Sequence, residues 1–238
     1  MASSKSFISL LVVILVSGSV LGQRDIPDNL PKFDNKKIHF GFQLGSSVNG
    51  FTIDQDLTRS DSLIRLETGT QPGLIIHALT ELHLGPYFGI RFTPGIAFAA
   101  RDLTYYYSSQ KRPEPVVKTI ESTFIEAPIL LKYRSKRVNN FAQYVMVGFN
   151  YGFDLASQQF TDNDVDERGE RIVKIKQQNY NIEVGTGLDF FLEYFKFSPE
   201  LKFSYGLNNV IVPEQTEFSA PVVDLRSKIF VFALNFEG

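Results

Sequence analysis

The chain has 238 residues with 22 Phe and 10 Tyr, no Trp and no Cys, and a formal charge of −2. That balance leaves no basic footprint for nucleic acid, which is excluded as a partner. Without cysteines, an exported fold has to hold together without disulfides.

The start, "MASSKSFISLLVVILVSGSVLGQ", has one charge at Lys5, an apolar run from Phe7 to Val16, and small residues up to Gly22. This three-part layout predicts a secretory signal peptide over residues 1–22. The apolar run is roughly ten residues, too short to cross a bilayer as a helix, which takes roughly 20. Residue 23 is Gln, so no lipid-bearing cysteine follows the cut. Losing residues 1–22 removes one Lys and no acid, taking the formal charge from −2 to −3. Residues 23–36, with two prolines, read as an irregular periplasmic lead-in, and residues 37–238 as a single β-barrel domain.

From residue 37 onward apolar residues recur at period two, the mark of strands with unlike faces. Eight segments follow in order. "KIHFGFQLG" sets Ile38, Phe40, Phe42 and Leu44 against His39 and Gln43. "GLIIHALTELHL" sets Leu74, Ile76, Ala78, Leu82 and Leu84 against His77, Glu81 and His83. "FGIRFTPGIAFA" opposes Phe88, Ile90, Phe92, Ile96 and Phe98 to Gly89, Arg91 and Gly95. "STFIEAPILLKY" opposes Ile125, Ile129, Leu131 and Tyr133 to Glu126 and Lys132. In "YVMVGFNYGFDL", Val145, Val147, Phe149 and Tyr151 alternate with Gly148, Asn150, Gly152 and Asp154. In "YNIEVGTGLDF", Tyr180, Ile182, Val184 and Leu188 alternate with Glu183, Gly185, Gly187 and Asp189. "FKFSPELKFSYGL" places Phe197, Leu201 and Phe203 opposite Lys196, Glu200 and Lys202. "KIFVFALNFEG" closes the chain on Phe230, Phe232, Leu234 and Phe236.

Short turns at Gly85-Pro86, Arg134 to Asn140 and Glu193-Tyr194 alternate with longer polar stretches such as "TIDQDLTRSDSLIRLETGTQ" and "SQQFTDNDVDERGERIVK". In an up-and-down sheet all short turns then lie at one end. The expectation is an all-β, eight-stranded antiparallel transmembrane barrel of the outer membrane, with short periplasmic turns and long external loops.

A soluble barrel alternates as well, but with its apolar face inside. Here the apolar face is aromatic, as an interfacial girdle requires. The other face mixes Gly with both signs of charge, suiting an eight-stranded lumen just wide enough to be filled by side chains. A one-residue slip would turn every side chain to the wrong face. Each Arg or Lys then facing lipid near the midplane would cost about 2–4 kcal/mol. The expected lumen charge network is Glu81, Arg91, Glu126, Lys132, Asp154, Glu183, Asp189, Lys196, Glu200 and Lys202. If Gly85-Pro86-Tyr87 is a three-residue hairpin loop, Glu81 falls opposite Arg91.

Pro94, Pro128 and Pro199 interrupt this pattern, since each removes a ladder donor, and β-bulges are expected there. A bulge is also expected at "STF" before Ile125. Phe230, Phe232, Leu234 and Phe236 read as the lipid face of the closing strand, and they resemble the C-terminal assembly signal read by the barrel-assembly machinery. Glu237 and Gly238 follow them, a departure from a strictly terminal aromatic.

No catalytic, cofactor-binding or metal-ligating residue is expected. His77 and His83 lie six residues apart on one strand, about 20 Å at strand rise, and cannot share a metal. No Ser has a clear place beside His77 or His83 as a nucleophile. The acidic "TDNDVDERGE" does not follow the calcium-loop spacing and reads as a solvated loop.

Several stretches resemble the PorT family of outer-membrane proteins: "LPKFDNKKIHFGFQLG", "HLGPYFGIRFTPGIAF", "ESTFIEAPILLKYRSKRVNN", "YGFDLAS" and "EVGTGLDFFLEYFKFSPELKFSYGLNN". The likeness runs in order over the mature chain and includes the turns "KYRSKRVNN" and "LEYFKFSPE". It implies a non-catalytic barrel required for protein export by the type IX secretion system, and for gliding motility in some bacteria. It further implies residence in the outer membrane, contact with outer-membrane lipid and with other type IX components, and no cofactor. The alternative is a stand-alone small barrel acting as an adhesin or a lipid-modifying enzyme.

Overall fold

The computed structural model describes residues 28–60, 62–108, 113–159, 172–214 and 216–238. The expected signal peptide and the "TDNDVDERGE" loop lie outside the described residues. Nine strands follow in order: β1 (Ile38–Gln55), β2 (Leu63–His83), β3 (Phe88–Phe92), β4 (Gly95–Tyr107), β5 (Val116–Arg134), β6 (Phe141–Asp154), β7 (Gln178–Phe191), β8 (Lys196–Gly206) and β9 (Val222–Glu237). Every pairing is antiparallel, and β1 pairs with both β2 and β9, so the sheet closes. Strands β3 and β4 both lie between β2 and β5. They are two halves of one stave, and the barrel has eight. Closure leaves no free sheet edge across the bilayer, the condition for a strand-built membrane span.

The three short turns share one end with the lead-in and the C-terminus, which makes that end periplasmic. Leu84 N–H donates to the Phe88 carbonyl at 2.9 Å around Gly85-Pro86-Tyr87, and Leu192 N–H to Phe195 at 3.0 Å around Glu193-Tyr194. The third turn places Asn139 at φ 53°, a left-handed position that asparagine tolerates.

The prolines do not produce the expected bulges. Phe92 pairs with Ile129 and Gly95 with Glu126, so β3 and β4 keep one register across Thr93-Pro94. Ala78 N–H donates to the Pro94 carbonyl and Thr93 N–H to that of Pro128. The nitrogens of both prolines thus face this one step, where the stave breaks in two without gaining a residue. Pro199 pairs with Leu234 in an unshifted β8–β9 register. The β7–β8 register is likewise the same at Gly187–Glu200 and Phe190–Phe197. The "STF" stretch has no bulge either. Phe124 turns inward at 3% exposure, in unbroken register with β4 and β6. The real irregularities are at Thr70/Leu74 and Leu63/Arg65 in β2 and at Asp54/Gln55 in β1. The first holds Pro72-Gly73, where an extra residue leaves Pro72 without a partner on β4 while it stays opposite Val48 on β1.

Much of the polar stretch after Ile53 is strand rather than loop, because β1 runs to Gln55 and β2 starts at Leu63. At the tip, Asp56 caps a 3-10 turn (Leu57–Arg59), accepting from the Thr58 hydroxyl at 2.6 Å and the Thr58 amide at 3.1 Å. These bonds hold its carboxyl below the ordinary range.

Outward-facing Phe40, Leu44, Leu74, Phe98, Ile129, Leu131, Val147, Phe149, Val184, Leu201, Phe230 and Phe232 are exposed on the wall. On β1 this row runs from Ile38 to Val48, apolar except at Ser46, and at strand rise and a barrel tilt of about 40° it spans about 25 Å. Farther out the polarity reverses. Leu63, Leu66, Leu103, Tyr105, Tyr107, Ile120, Val222 and Leu225 point inward and are buried. On the outward face Asp102 binds Gln71 and Thr119. Val173, Ile175, Val210, Ile211 and Phe218, from the last two external connections, complete this apolar core. Tyr105 donates its hydroxyl to the Phe218 carbonyl at 2.9 Å. The barrel thus extends beyond the bilayer and is capped by an apolar core.

Candidate functional site

The lumen is the polar interior of the described residues, and it is filled in layers. At its centre Arg91, 0% exposed, bridges three carboxylates. It reaches Glu81 at 2.5 Å, Glu200 at 2.7 Å and Glu237 at 2.9 Å. The register places Glu81 directly opposite Arg91 across the β2–β3 hairpin. Lys132 holds Glu81 at 3.2 Å and Asp189 at 3.1 Å, and Lys196 holds Glu237 at 2.9 Å. Lys202 sits 3.6 Å from Glu183 and 3.8 Å from Glu200. Neutral groups take the remaining lone pairs: the Tyr144 hydroxyl on Glu200 at 2.7 Å, Ser198 on Asp189 at 2.6 Å, and Asn150 on Glu183 at 2.9 Å. Gln43 donates to both Glu200 and Asn235. Arg91, Lys132, Lys196 and Lys202 thus each have a carboxylate within 4.0 Å, and Arg91 and Lys132 also hydrogen-bond theirs, which is what makes a buried charge tolerable.

The small lumen residues make the room. A Cβ on Gly187 would lie 2.3 Å from the Tyr144 hydroxyl, so the glycine admits that ring. The Lys132 ammonium lies over the same ring, 3.9 Å from its centre.

Two residues expected in the network stand apart from it. Glu126 pairs with His77 at 3.4 Å rather than with a lysine. Asp154 has no ion pair among the described residues. It accepts from the amides of Thr123 and Ala156, both at 3.0 Å, and so pins the start of an external connection. Glu237, Tyr144 and Asn235 line the lumen in addition to the expected network, and strand parity signals all three. Outward Phe236 implies inward Asn235 and Glu237, and outward Val145 implies inward Tyr144. Phe230 and Phe232 are exposed to lipid, and Phe236 stacks against Phe42 of the neighbouring strand at 4.9 Å between ring centres.

The periplasmic mouth is stoppered by the lead-in. Phe33, 4% exposed, stacks on His39 at 3.8 Å and meets Phe191 edge-on at 5.7 Å. Asn29 is held by its amide on Asn140 at 2.8 Å, by its side chain on the Phe191 carbonyl at 3.0 Å, and by Arg137 on its own carbonyl. Nothing in the lead-in is periodic, so only its place before the first strand hints at this role.

Where the charged lumen meets the outer core lies Arg101, 1% exposed, its guanidinium between the rings of Phe51 (4.9 Å) and Phe124 (5.1 Å). A cavity of about 20 Å³ beside it has room for about one water. The histidines bond to the Lys36 carbonyl, Gln43 and Glu81. Among the described residues no hydroxyl hydrogen-bonds a histidine, and no three His, Cys, Asp or Glu side chains converge as metal ligands.

A closed eight-stave wall with an aromatic, apolar exterior and a lumen of ion pairs defines a small outer-membrane β-barrel. Residues 23–212 match the family model described as outer membrane protein beta-barrel domain, and the chain belongs to that family. Among solved structures, the outer membrane protein OprG from Pseudomonas aeruginosa is 11% identical, covering 84% of this chain and 92% of its own, with a TM-score of 0.48. Neisserial surface protein A is 10% identical over 82% of this chain and 95% of its own, with a TM-score of 0.42. Outer membrane protein AlkL is 11% identical over 90% and 93%, with a TM-score of 0.41. No curated protein matches the sequence.

Proposed function

We propose that the chain is a non-catalytic outer-membrane subunit required for protein export by a type IX secretion system and, in gliding bacteria, for motility. The observation that carries this reading is the packed lumen together with the PorT-like segments named above. Arg91, Lys132, Lys196, Leu79 and Leu130 are each 1% exposed or less, so the interior is occupied by structure, as in other eight-stranded barrels. A barrel filled in this way acts through its outer wall, its external extension and its periplasmic rim. Those are the surfaces by which it would dock on other secretion components in the bilayer.

Deleting the gene tests the reading. The expected result is loss of type IX cargo from the cell surface, restored by the wild-type chain and equally by a His77→Asn/His83→Gln variant. Pull-down from detergent-solubilised outer membranes should then recover other components of the apparatus. Normal export with altered lipid chemistry or adhesion would replace this reading with that of a stand-alone barrel.

A further inference from the structure

Among the described strands, the wall beyond the bilayer is not a full ring. On the outer side β6 ends at Asp154, β7 begins at Gln178 and β8 ends at Gly206, while β5 continues back to Val116 and β9 to Val222. Two sheet edges result, one on each side of the gap. That of β9 is covered. Val210 N–H donates to the Leu225 carbonyl at 2.8 Å, and the Asn209 side chain donates to the Val223 carbonyl and accepts from the Leu225 amide, both at 3.0 Å. That of β5 is open among the described residues. Its pairing with β6 starts at Phe124, and Asp154 caps the Thr123 amide at 3.0 Å as β6 leaves the sheet. From Val116 to Ser122 the strand pairs with β4 alone. The Leu155 amide donates to the Thr123 carbonyl, so by strand alternation the N–H and C=O groups of Val117, Thr119 and Glu121 point to that same side. Among the described residues nothing bonds to them.

A groove of about 330 Å³ runs along this edge, between it and the described parts of the β6–β7 connection, lined by Thr119, Glu121, Ser157, Gln158, Val173 and Ile175. Open main-chain donors and acceptors at two-residue spacing are what an extended polypeptide pairs with when it adds a strand to a sheet. The side chains sort the occupant. On the inner side Ile120, Val173 and Ile175 are buried and apolar, while on the outer side Val117, Thr119 and Glu121 face water. We propose that this edge binds an extended segment of another polypeptide, with alternating apolar and polar residues, as an added antiparallel strand on the outside of the cell. The open stretch is about 14 Å long, room for about five residues. The inference goes beyond the subunit reading and holds whichever apparatus the barrel serves.

The test is fluorescence anisotropy on the mature chain in nanodiscs, using a labelled peptide of alternating Thr and Val with Lys at each end. Two further peptides carry N-methyl groups, one on its Thr amides and the other on its Val amides, since each set points to one side of an extended strand. The plain peptide is expected to bind, one methylated peptide to bind about tenfold more weakly, and the other to stay within about twofold of the plain one. Thr119→Pro removes an edge donor and leaves the β4 side of the strand intact, because proline is tolerated at a sheet edge. It should weaken the plain peptide about fivefold, whereas Thr119→Val, which keeps the main chain, should leave it within about twofold. If the proline variant does not fold, the methylated peptides carry the test. No binding, or an equal response to the two methylated peptides, would overturn the proposal. So would a dimer of the chain in detergent that Thr119→Pro dissociates, which would give the edge to a second copy. Normal export after gene deletion would remove the subunit reading and leave this measurement standing.

Discussion

Inside the bilayer band, inward positions carry Arg91, Lys132 and Asp189 while outward ones carry Phe149 and Leu131; in the outer extension, Leu103 and Tyr105 point in while Asp102 and Thr119 point out. The two regions share strands, register and hydrogen-bond ladder. Only the surroundings differ, hydrocarbon in one and water in the other. The side-chain pattern therefore follows the medium outside the wall, and the exchange near Arg101 and Ser122 marks the outer limit of the hydrocarbon. The two interiors also cohere differently. Below the exchange, polar groups satisfy one another in a medium that cannot hydrate them. Above it, burial of apolar surface does the work, as in a soluble domain.

The largest effect expected is at the centre of the polar region. Glu81→Ala leaves Arg91 and Lys132 each short of a buried counter-ion, and should cost about 3–5 kcal/mol in urea unfolding of the barrel in vesicles. Leu103→Ala, in the outer core, should cost about 2–5 kcal/mol by opening a cavity. Leu131→Ala, the same change on the lipid face, should cost under about 1 kcal/mol, because the bilayer closes over the site. A loss at Leu131 as large as that at Leu103 would erase the distinction between the two regions. Arginine scanning sharpens it from outside. Phe149→Arg should cost about 2–4 kcal/mol, whereas Val117→Arg, on the water-facing wall of the extension, should stay within about 0.5 kcal/mol.

The staves themselves were legible because period-two alternation survives in every segment, and the Gly85-Pro86-Tyr87 turn was enough to place Glu81 across from Arg91. The outer core was not legible as such. Leu66, Leu103 and Tyr105 lie on the same strand face as the lumen charges, so an apolar residue there reads as a break in the pattern or as loop. Phe124 looked like a register fault for the same reason, yet it is a deliberate inward ring beneath Arg101. Proline alone does not signal a bulge. A missing donor implies a bulge only where the neighbouring strand needs that donor, and Pro94 and Pro128 confine their loss to a single step. Phe33 could not be foreseen as a stopper, since a plug is defined by the mouth it fills rather than by any periodicity of its own.

Facing is the point on which both regions depend, and the chain lends itself to measuring it because it has no native cysteine. Single spin labels at Phe149, Phe232, Val117 and Thr119, in vesicles, report collisions with oxygen from the lipid side and with a soluble nickel chelate from the water side. Labels at Phe149 and Phe232 should favour oxygen, and those at Val117 and Thr119 the chelate. Chelate-dominated relaxation at Phe149 and Phe232 would mean that the aromatic wall does not face hydrocarbon, and the account would fail.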